Sequence, residues 1–287
     1  MDDHSTTDKR VRPSTIEGIF YPGEKDALSA RLIDLLDHSD GAPVTGQSPY
    51  SIIVPHAALD YAGRIAAAAY KTVADRKIDT VVLLGPVHRE PEQAVFLPQS
   101  QMFHTPMGLV DVDENALNKL AGLCASFRID DIPHLEEHCL EAQLPFVQQL
   151  FPRARILPIL LGKPTRALVQ LLSDSLWKLY ARRITSTLFV VTANITSNTE
   201  EKGAQKEAEQ VINWITDGDW QSLIEAAERR RISSCGAGCL AVILLMNDRL
   251  GGRVRLIRQG SSLPMVKDPK KVVHYASFTL EEQIENR

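Results

Sequence analysis

The chain has 287 residues, 44% of them hydrophobic and 24% charged, a balance that excludes a disordered, collagen-like or coiled-coil protein. Its 36 acids and 32 bases leave a formal charge of −4, and the bases are scattered apart from residues 229–231 and the alternation Arg253, Arg255, Arg258, so nucleic acid is not an expected partner. No apolar run approaches the roughly 20 residues of a membrane span, and residues 1–13 are polar without the apolar core of a secretory signal, so the expected location is the cytoplasm.

Taken in chain order, residues 25–38 place Leu28, Leu32, Leu35 and Leu36 at helical spacing after the interruption at Pro22-Gly23. Residues 51–54 form a short apolar run followed by Pro55-His56, and the Ala-rich stretch 62–73 reads as a helix packed closely on a sheet. The unit repeats at 80–84, a second buried run that ends in Gly85-Pro86-Val87-His88, which predicts a parallel strand–helix–strand crossover. Next come strand-like 94–97, a turn at Pro106-Met107-Gly108 and a helix over 114–124. Pro133 suits a helix start, so 134–149 reads as an amphipathic helix that Pro145 ends or bends. Strand 155–161, helix 165–181 and strand 187–192 continue the alternation, followed by helices over 202–216, 219–231 and from about Cys235 to Leu250, where Gly251-Gly252 stops the last. Residues 254–257 and 272–280 read as an antiparallel closing pair. With no repeat or linker in view, the expectation is a polar tail over 1–13 and a single α/β domain with a mostly parallel sheet over 14–287.

In an open α/β sheet, ligands bind beyond the carboxyl ends of the strands. His56 and His88 each follow an apolar strand run, 32 positions apart, about one crossover unit, so their strands are candidates for neighbours. Two imidazoles converging there would suit iron, copper or zinc; the alternative is a pair of histidines bonded to loop backbone. Four cysteines, at 124, 139, 235 and 239, are too sparse for a disulfide scaffold. Cys235 opens a predicted helix, where the dipole favours a thiolate that would serve as a third ligand or a nucleophile. Cys239, one turn later beside Val242 and Ile243, reads as core. His134-Leu135-Glu136-Glu137-His138 matches the H-x-x-E-H pattern of a class of zinc peptidases, although three fixed residues in five equally describe a charged helix start. His138 and Glu141, three apart on one predicted helix face, are the candidate catalytic residues lining the same pocket.

Several of these segments together resemble a known family. Phe20-Tyr21-Pro22-Gly23, Pro55-His56-Ala57 with Tyr61-Ala62-Gly63, Leu84-Gly85-Pro86-Val87-His88, Thr105-Pro106, Glu137-His138-Cys139-Leu140-Glu141-Ala142-Gln143-Leu144-Pro145-Phe146, Pro158-Ile159-Leu160-Leu161-Gly162 and Cys235-Gly236 are similar in order and spacing to the Memo family, also called AmmeMemoRadiSam system protein B. The resemblance runs over nearly the whole chain. It implies a three-layer fold like that of class III extradiol dioxygenases, with a sheet between helical layers. It also implies a metal held by His56, His88 and Cys235, iron or copper ahead of zinc, with Glu137-His138 in the pocket wall rather than on a peptidase helix.

One stretch departs from the family pattern. Where the family reads Ser-Ser-Asp and then His three residues later, this chain has Thr192-Ala193-Asn194-Ile195-Thr196-Ser197, so an amide and a hydroxyl replace an acid and an imidazole. The segment after His88 also begins with Arg89, where many relatives carry a second histidine. Two readings of different class follow: a metal-dependent oxidoreductase acting on a small substrate, with His138 moving a proton, or a metal-binding protein whose pocket receives a small molecule or peptide without turnover. Neither expects nucleic acid or a membrane, and a homo-oligomer is compatible with both.

Overall fold

A strand covered on both faces has no place for polar alternation, and the central strands of this chain are apolar almost throughout. A computed structural model describes residues 9–39, 49–89, 92–198, 201–265 and 271–282. The first half runs through β1 (Val11–Arg12), α1 (Lys25–Asp37), β2 (Ser51–Val54), α2 (Leu59–Lys71), β3 (Thr80–Pro86), β4 (Val95–Leu97), the hairpin β5 (Met102–Thr105) and β6 (Gly108–Asp111), α3 (Glu114–Ala121), β7 (Phe127–Ile129), α4 (Ile132–Glu136) and α5 (Leu144–Leu150). The second half adds β8 (Arg155–Leu161), α6 (Arg166–Tyr180), β9 (Thr187–Thr192), β10 (Thr196–Asn198), α7 (Glu201–Thr216), α8 (Trp220–Glu228), α9 (Ala237–Arg249), β11 (Arg253–Ser261) and β12 (Val272–Glu281).

The main sheet has the order β10-β12-β2-β9-β3-β8-β4-β7, with β11 paired to the free side of β12. Its centre, β2, β9, β3 and β8, is parallel, and every residue of β2, β3 and β9 is buried. The flanking pairs β12 with β2 and β4 with β8 are antiparallel, and so is the expected closing pair β11–β12. α2 lays Ala66 to Ala69, all buried, on one face, with α1 beside it. α9 covers β3 and β9 on the other, between α6 and α8, which makes the fold an αβα sandwich.

The strands that lead to His56 and His88 are not neighbours, because β9 lies between them, with Val190 registered against both Ile52 and Leu83. β9 is as apolar as its neighbours, so nothing in the hydrophobic pattern sets its place in the order. All three strands point the same way, so the two histidines still emerge at one edge. The predicted helix over 134–149 is also broken up: α4 ends at Glu136, Glu137 is extended at φ −99° and ψ 136°, and Pro145 begins α5 rather than ending a helix. A proline in the first turn gives up an amide that has no partner in a helix anyway. Residues Val11 and Arg12, assigned to the tail by their polarity, form β1 in a small sheet with β5 and β6, and Arg12 is 1% exposed.

Gly85, near the end of β3, is what allows the 137–140 segment to lie on the strand end. A Cβ there would meet Cys139 Sγ at 2.6 Å, Leu140 Cδ2 at 2.8 Å and Thr192 Cγ2 at 3.0 Å. Gly85→Ala is expected to cost about 1–3 kcal/mol by overpacking, measured by urea unfolding; an unchanged midpoint would show that Cys139 and Leu140 yield without strain.

Candidate metal centre

The parallel strands deliver three groups to one point. His56 stands two residues past β2, His88 two past β3, and Cys235 two before α9, and one ligand atom from each lies within 4.8 Å of the others. His56 Nε2 and Cys235 Sγ are 3.4 Å apart. The hydrogen bonds around His56 fix its tautomer. Thr192 Oγ1 donates its single proton to Val54 O at 3.0 Å and accepts from Gln143 Nε2 at 3.1 Å, so its 2.9 Å contact with His56 Nδ1 must be donated by the imidazole. In the neutral ring the lone pair is then on Nε2, the nitrogen that faces Cys235.

His88 is fixed in the same way by a different acceptor. Its Nδ1 lies 3.0 Å from both oxygens of Glu137, a carboxylate that can only accept, so Nδ1 carries a proton and it is Nε2 that gives up its proton when the ring is neutral. Glu137 also receives the backbone N–H of His88 and of His138 at 2.9 Å, that of Cys139 at 3.3 Å, and Nδ1 of His138 at 3.0 Å. The His138 ring stacks on His88 with centroids 5.2 Å apart, lies 5.6 Å from His56, and is edged by Phe20 at 5.1 Å. His88, Glu137 and His138 form a second close group, but the carboxylate there already accepts N–H from both rings, the role of a group that orients ligands.

The charges follow from this packing. Burial alone would raise the Cys235 thiol, but the electrostatic pull and hydrogen bonding of His56, then of His88, outweigh it and bring it down to about 5. Hydrogen bonding to Cys235 and then to Glu137 outweighs burial at His88 and raises it to about 10. Burial would raise Glu137 too, yet hydrogen bonds from His138 and His88 hold its carboxyl well below the usual carboxylate range. Without a metal, the site is a thiolate facing imidazolium.

A metal fits this donor set. Bonds of about 2.0 Å to nitrogen and 2.3 Å to sulfur at a tetrahedral angle separate the two ligands by about 3.5 Å, close to the 3.4 Å between His56 and Cys235. Both histidines have the nitrogen away from the centre tied to an acceptor, the arrangement that orients metal-bound imidazole. Cys239, expected in the core, is 1% exposed there, and burial raises its thiol well above the ordinary range.

The structure separates the two candidate catalytic residues. His138 joins the cluster. Glu141 does not: α4 ends before it, and its oxygens accept from Arg12, the Thr15 and Ile16 amides, Thr15 Oγ1 and Tyr21 Oη. It anchors the segment that carries Phe20 to His138. Arg12 completes the clamp, its Nε donating to His134 O at 2.7 Å and Nη2 to Glu137 O at 2.9 Å. His134 is buried and its Nε2 lies 3.1 Å from Phe96 O, so the two histidines of the H-x-x-E-H pattern do not share a helix or a site. Asn194 lies beside the cluster, its Oδ1 accepting from His56 N and its own N–H reaching Cys235 Sγ, both at 3.4 Å. Ser197 sits in β10 with its N–H donated to Ser233 Oγ at 2.8 Å. Thr192 and Gln143 are the site residues that sequence reasoning did not single out, and Glu137, expected in the pocket wall, was not expected to be the acceptor that orients both rings. The pairing of Glu137 with His138 in the H-x-x-E-H match was the one available signal.

The family described as Memo-like protein matches residues 12–279. The chain belongs to the Memo-like family. A MEMO1 family protein of Thermotoga neapolitana is 30% identical over 280 residues, covering 94% of this chain and 99% of the relative. Another from Nitrosopumilus maritimus is 27% identical over 273 residues, covering 93% and 98%. The crystal structure of an uncharacterized protein from Escherichia coli K12 shares the fold at a TM-score of 0.50 and 11% identity, over 80% of this chain and 99% of that one. Among the described residues no helix is long and apolar enough to cross a membrane.

Two outcomes are expected. In metal-free protein Cys235 contributes stability above the ordinary thiol value of about 8.5, which is lost as pH falls through about 5. His88 contributes below about 6.5 and loses it as pH rises through about 10. The thiolate ultraviolet band, with Cys235→Ala as blank, should therefore persist down to about pH 5; a band that disappears near pH 8 would contradict the pairing. Separately, Glu141→Gln leaves Arg12 buried without its counter-charge and should cost about 3–5 kcal/mol in denaturant unfolding. A surface-like loss below about 1 kcal/mol would show that the clamp is dispensable.

Proposed function

We propose that this Memo-like protein holds a metal ion between His56 Nε2, His88 Nε2 and Cys235 Sγ, iron or copper ahead of zinc. The observation that carries the reading is the pair of fixed tautomers: Thr192 and Glu137 each take an Nδ1–H, which leaves two lone pairs and a thiolate facing one point. Two imidazoles and a thiolate suit Cu(I), Zn(II) or Fe(II). A bound iron or copper supplies redox chemistry and Lewis acidity, and zinc the second alone. In this reading Glu137 orients His88 and His138, His138 is the group available to carry a proton at its free Nε2, and the edge of Phe20 lies against its ring. The protein is a cytoplasmic one whose pocket takes a small molecule or peptide. The likeness to class III extradiol dioxygenases that the family resemblance implies makes a dioxygenase-like oxidoreductase the active form of this reading.

The amide at Asn194 favours a second reading, in which the site binds metal and ligand without turnover, because no carboxylate stands beside His56 and Cys235 to take up a proton. Metal analysis after anaerobic purification, with oxygen uptake on the same samples, separates the two. Cys235→Ala and His56→Ala should each lose the ion, and Glu137→Gln should weaken affinity about 10–100-fold by freeing the His88 ring. Unchanged metal content in Cys235→Ala would remove the ligand assignment. Because the thiolate must form and both imidazoles must be neutral, occupancy should fall as pH is lowered.

A further inference from the structure

Cys235 also lines a cavity of about 330 Å³, bounded by the carboxyl ends of β3 and β8 and by the junction of α8 with α9. This is the sheet edge at which α/β folds take their ligands. The wall passes from buried Leu161, Gly238 and Cys239 to exposed Lys163, Glu228 and Arg230. Glu228 is already engaged, since its Oε1 accepts from Arg166 N at 3.0 Å. Lys163 and Arg230 form no ion pair with any described residue, and their bonds are those of the backbone, Lys163 N to Glu92 O and Arg230 N to Ala227 O.

Arg230 is also the one described non-glycine residue in the left-handed region, at φ 53°. It stands just past α8, where Arg231 N turns back to Ala226 O at 2.8 Å, a place that glycine fills without strain. Glycine would serve the helix end better than arginine. What arginine adds is a guanidinium on the cavity wall, and strain of this kind is retained where a side chain is used.

We propose that this cavity binds a small organic anion, its apolar body among Val87, Leu161 and Pro164 and its terminal oxyanion between Lys163 and Arg230. On the metal reading above, which only this clause rests on, it is the ligand presented to the centre through Cys235. Two cations with no ion-pair partner among the described residues favour an oxyanion, and a guanidinium fork donates two parallel hydrogen bonds to carboxylate or phosphate.

Calorimetric titration of the full chain with benzoate, phenyl phosphate and neutral benzyl alcohol tests the assignment, with metal content measured on the same samples. At least one anion should bind, benzyl alcohol about tenfold more weakly or not at all, and Lys163→Ala and Arg230→Gly should each weaken the anion about fivefold or more. The stronger of benzoate and phenyl phosphate identifies the oxyanion. Arg230→Gly relieves the backbone, so its thermal midpoint should be native or higher, which separates lost binding from lost folding. Binding of benzyl alcohol as tight as the anions, anion binding that both substitutions leave untouched, or no heat from either anion at millimolar concentration would overturn the proposal. A chain that takes up no metal yet binds the anion through Lys163 and Arg230 would remove the metal reading and leave the cavity assignment standing.

Discussion

The carboxylate of Glu137 holds the site together. It accepts from the backbone amides of His88, His138 and Cys139 and from two imidazoles, and a buried acid with that many donors stays ionised although burial opposes it. Its own position is held from behind, because Arg12 grips the Glu137 carbonyl while its other nitrogens reach the His134 carbonyl and Glu141. Glu141 in turn fastens residues 15, 16 and 21, and Phe20 of that segment lies against His138. One chain of charge-assisted contacts thus runs from β1 to the rings that surround Cys235. Buried pairs of this kind add less to stability than to geometry, since desolvation offsets most of their attraction while the loss of either partner is costly.

The rigid half of the site needs no charges. His56 takes its orientation from Thr192 and Gln143, both supported by backbone of the sheet or by Tyr70, whose hydroxyl donates to Gln143 Oε1 at 3.2 Å. These residues are completely or almost completely buried, so the imidazole has no water to compete for its Nδ1–H. On the opposite face small residues let α9 approach: a Cβ on Gly236 would lie 2.4 Å from Ala193 Cβ, and one on Gly238 equally close to Pro164. Close approach places Cys235 against His56, and the thiolate follows from that placement.

What the sequence revealed and what it hid divide along physical lines. β2, β3, β8 and β9 were legible because strands buried on both faces must be apolar runs, and His56 and His88 because they stand where such runs stop. Their order was not legible, since β2, β9 and β3 are equally apolar and only tertiary packing inserts β9 between the other two. Residues 132–150 misled the helical reading: their periodicity is real, but Glu137 leaves the helix to collect donors, a gain that local propensity does not register. That break rotates Glu141 away from His138 and toward Arg12, a partner 129 residues earlier that no local pattern links to it. Arg12 itself looked like tail because a buried arginine is invisible in composition until its acid is found.

Asn194 shows how a site can keep its scaffold and change its chemistry. Its amide oxygen takes the His56 N–H and its backbone N–H supports Cys235 Sγ, contacts that an aspartate would make equally well. The difference is one negative charge. With a divalent ion in the proposed site, two neutral imidazoles and a thiolate would contribute −1, and these three ligands would leave an excess of +1 that the acid expected from the family pattern would offset. Glu137 keeps its own negative charge, but one residue further out, against the Nδ1–H groups of His88 and His138. Lys163 and Arg230, on the cavity that shares Cys235, push the potential in the same direction. A site so biased would favour an anion over a neutral ligand of the same shape, which would gain only its apolar contacts.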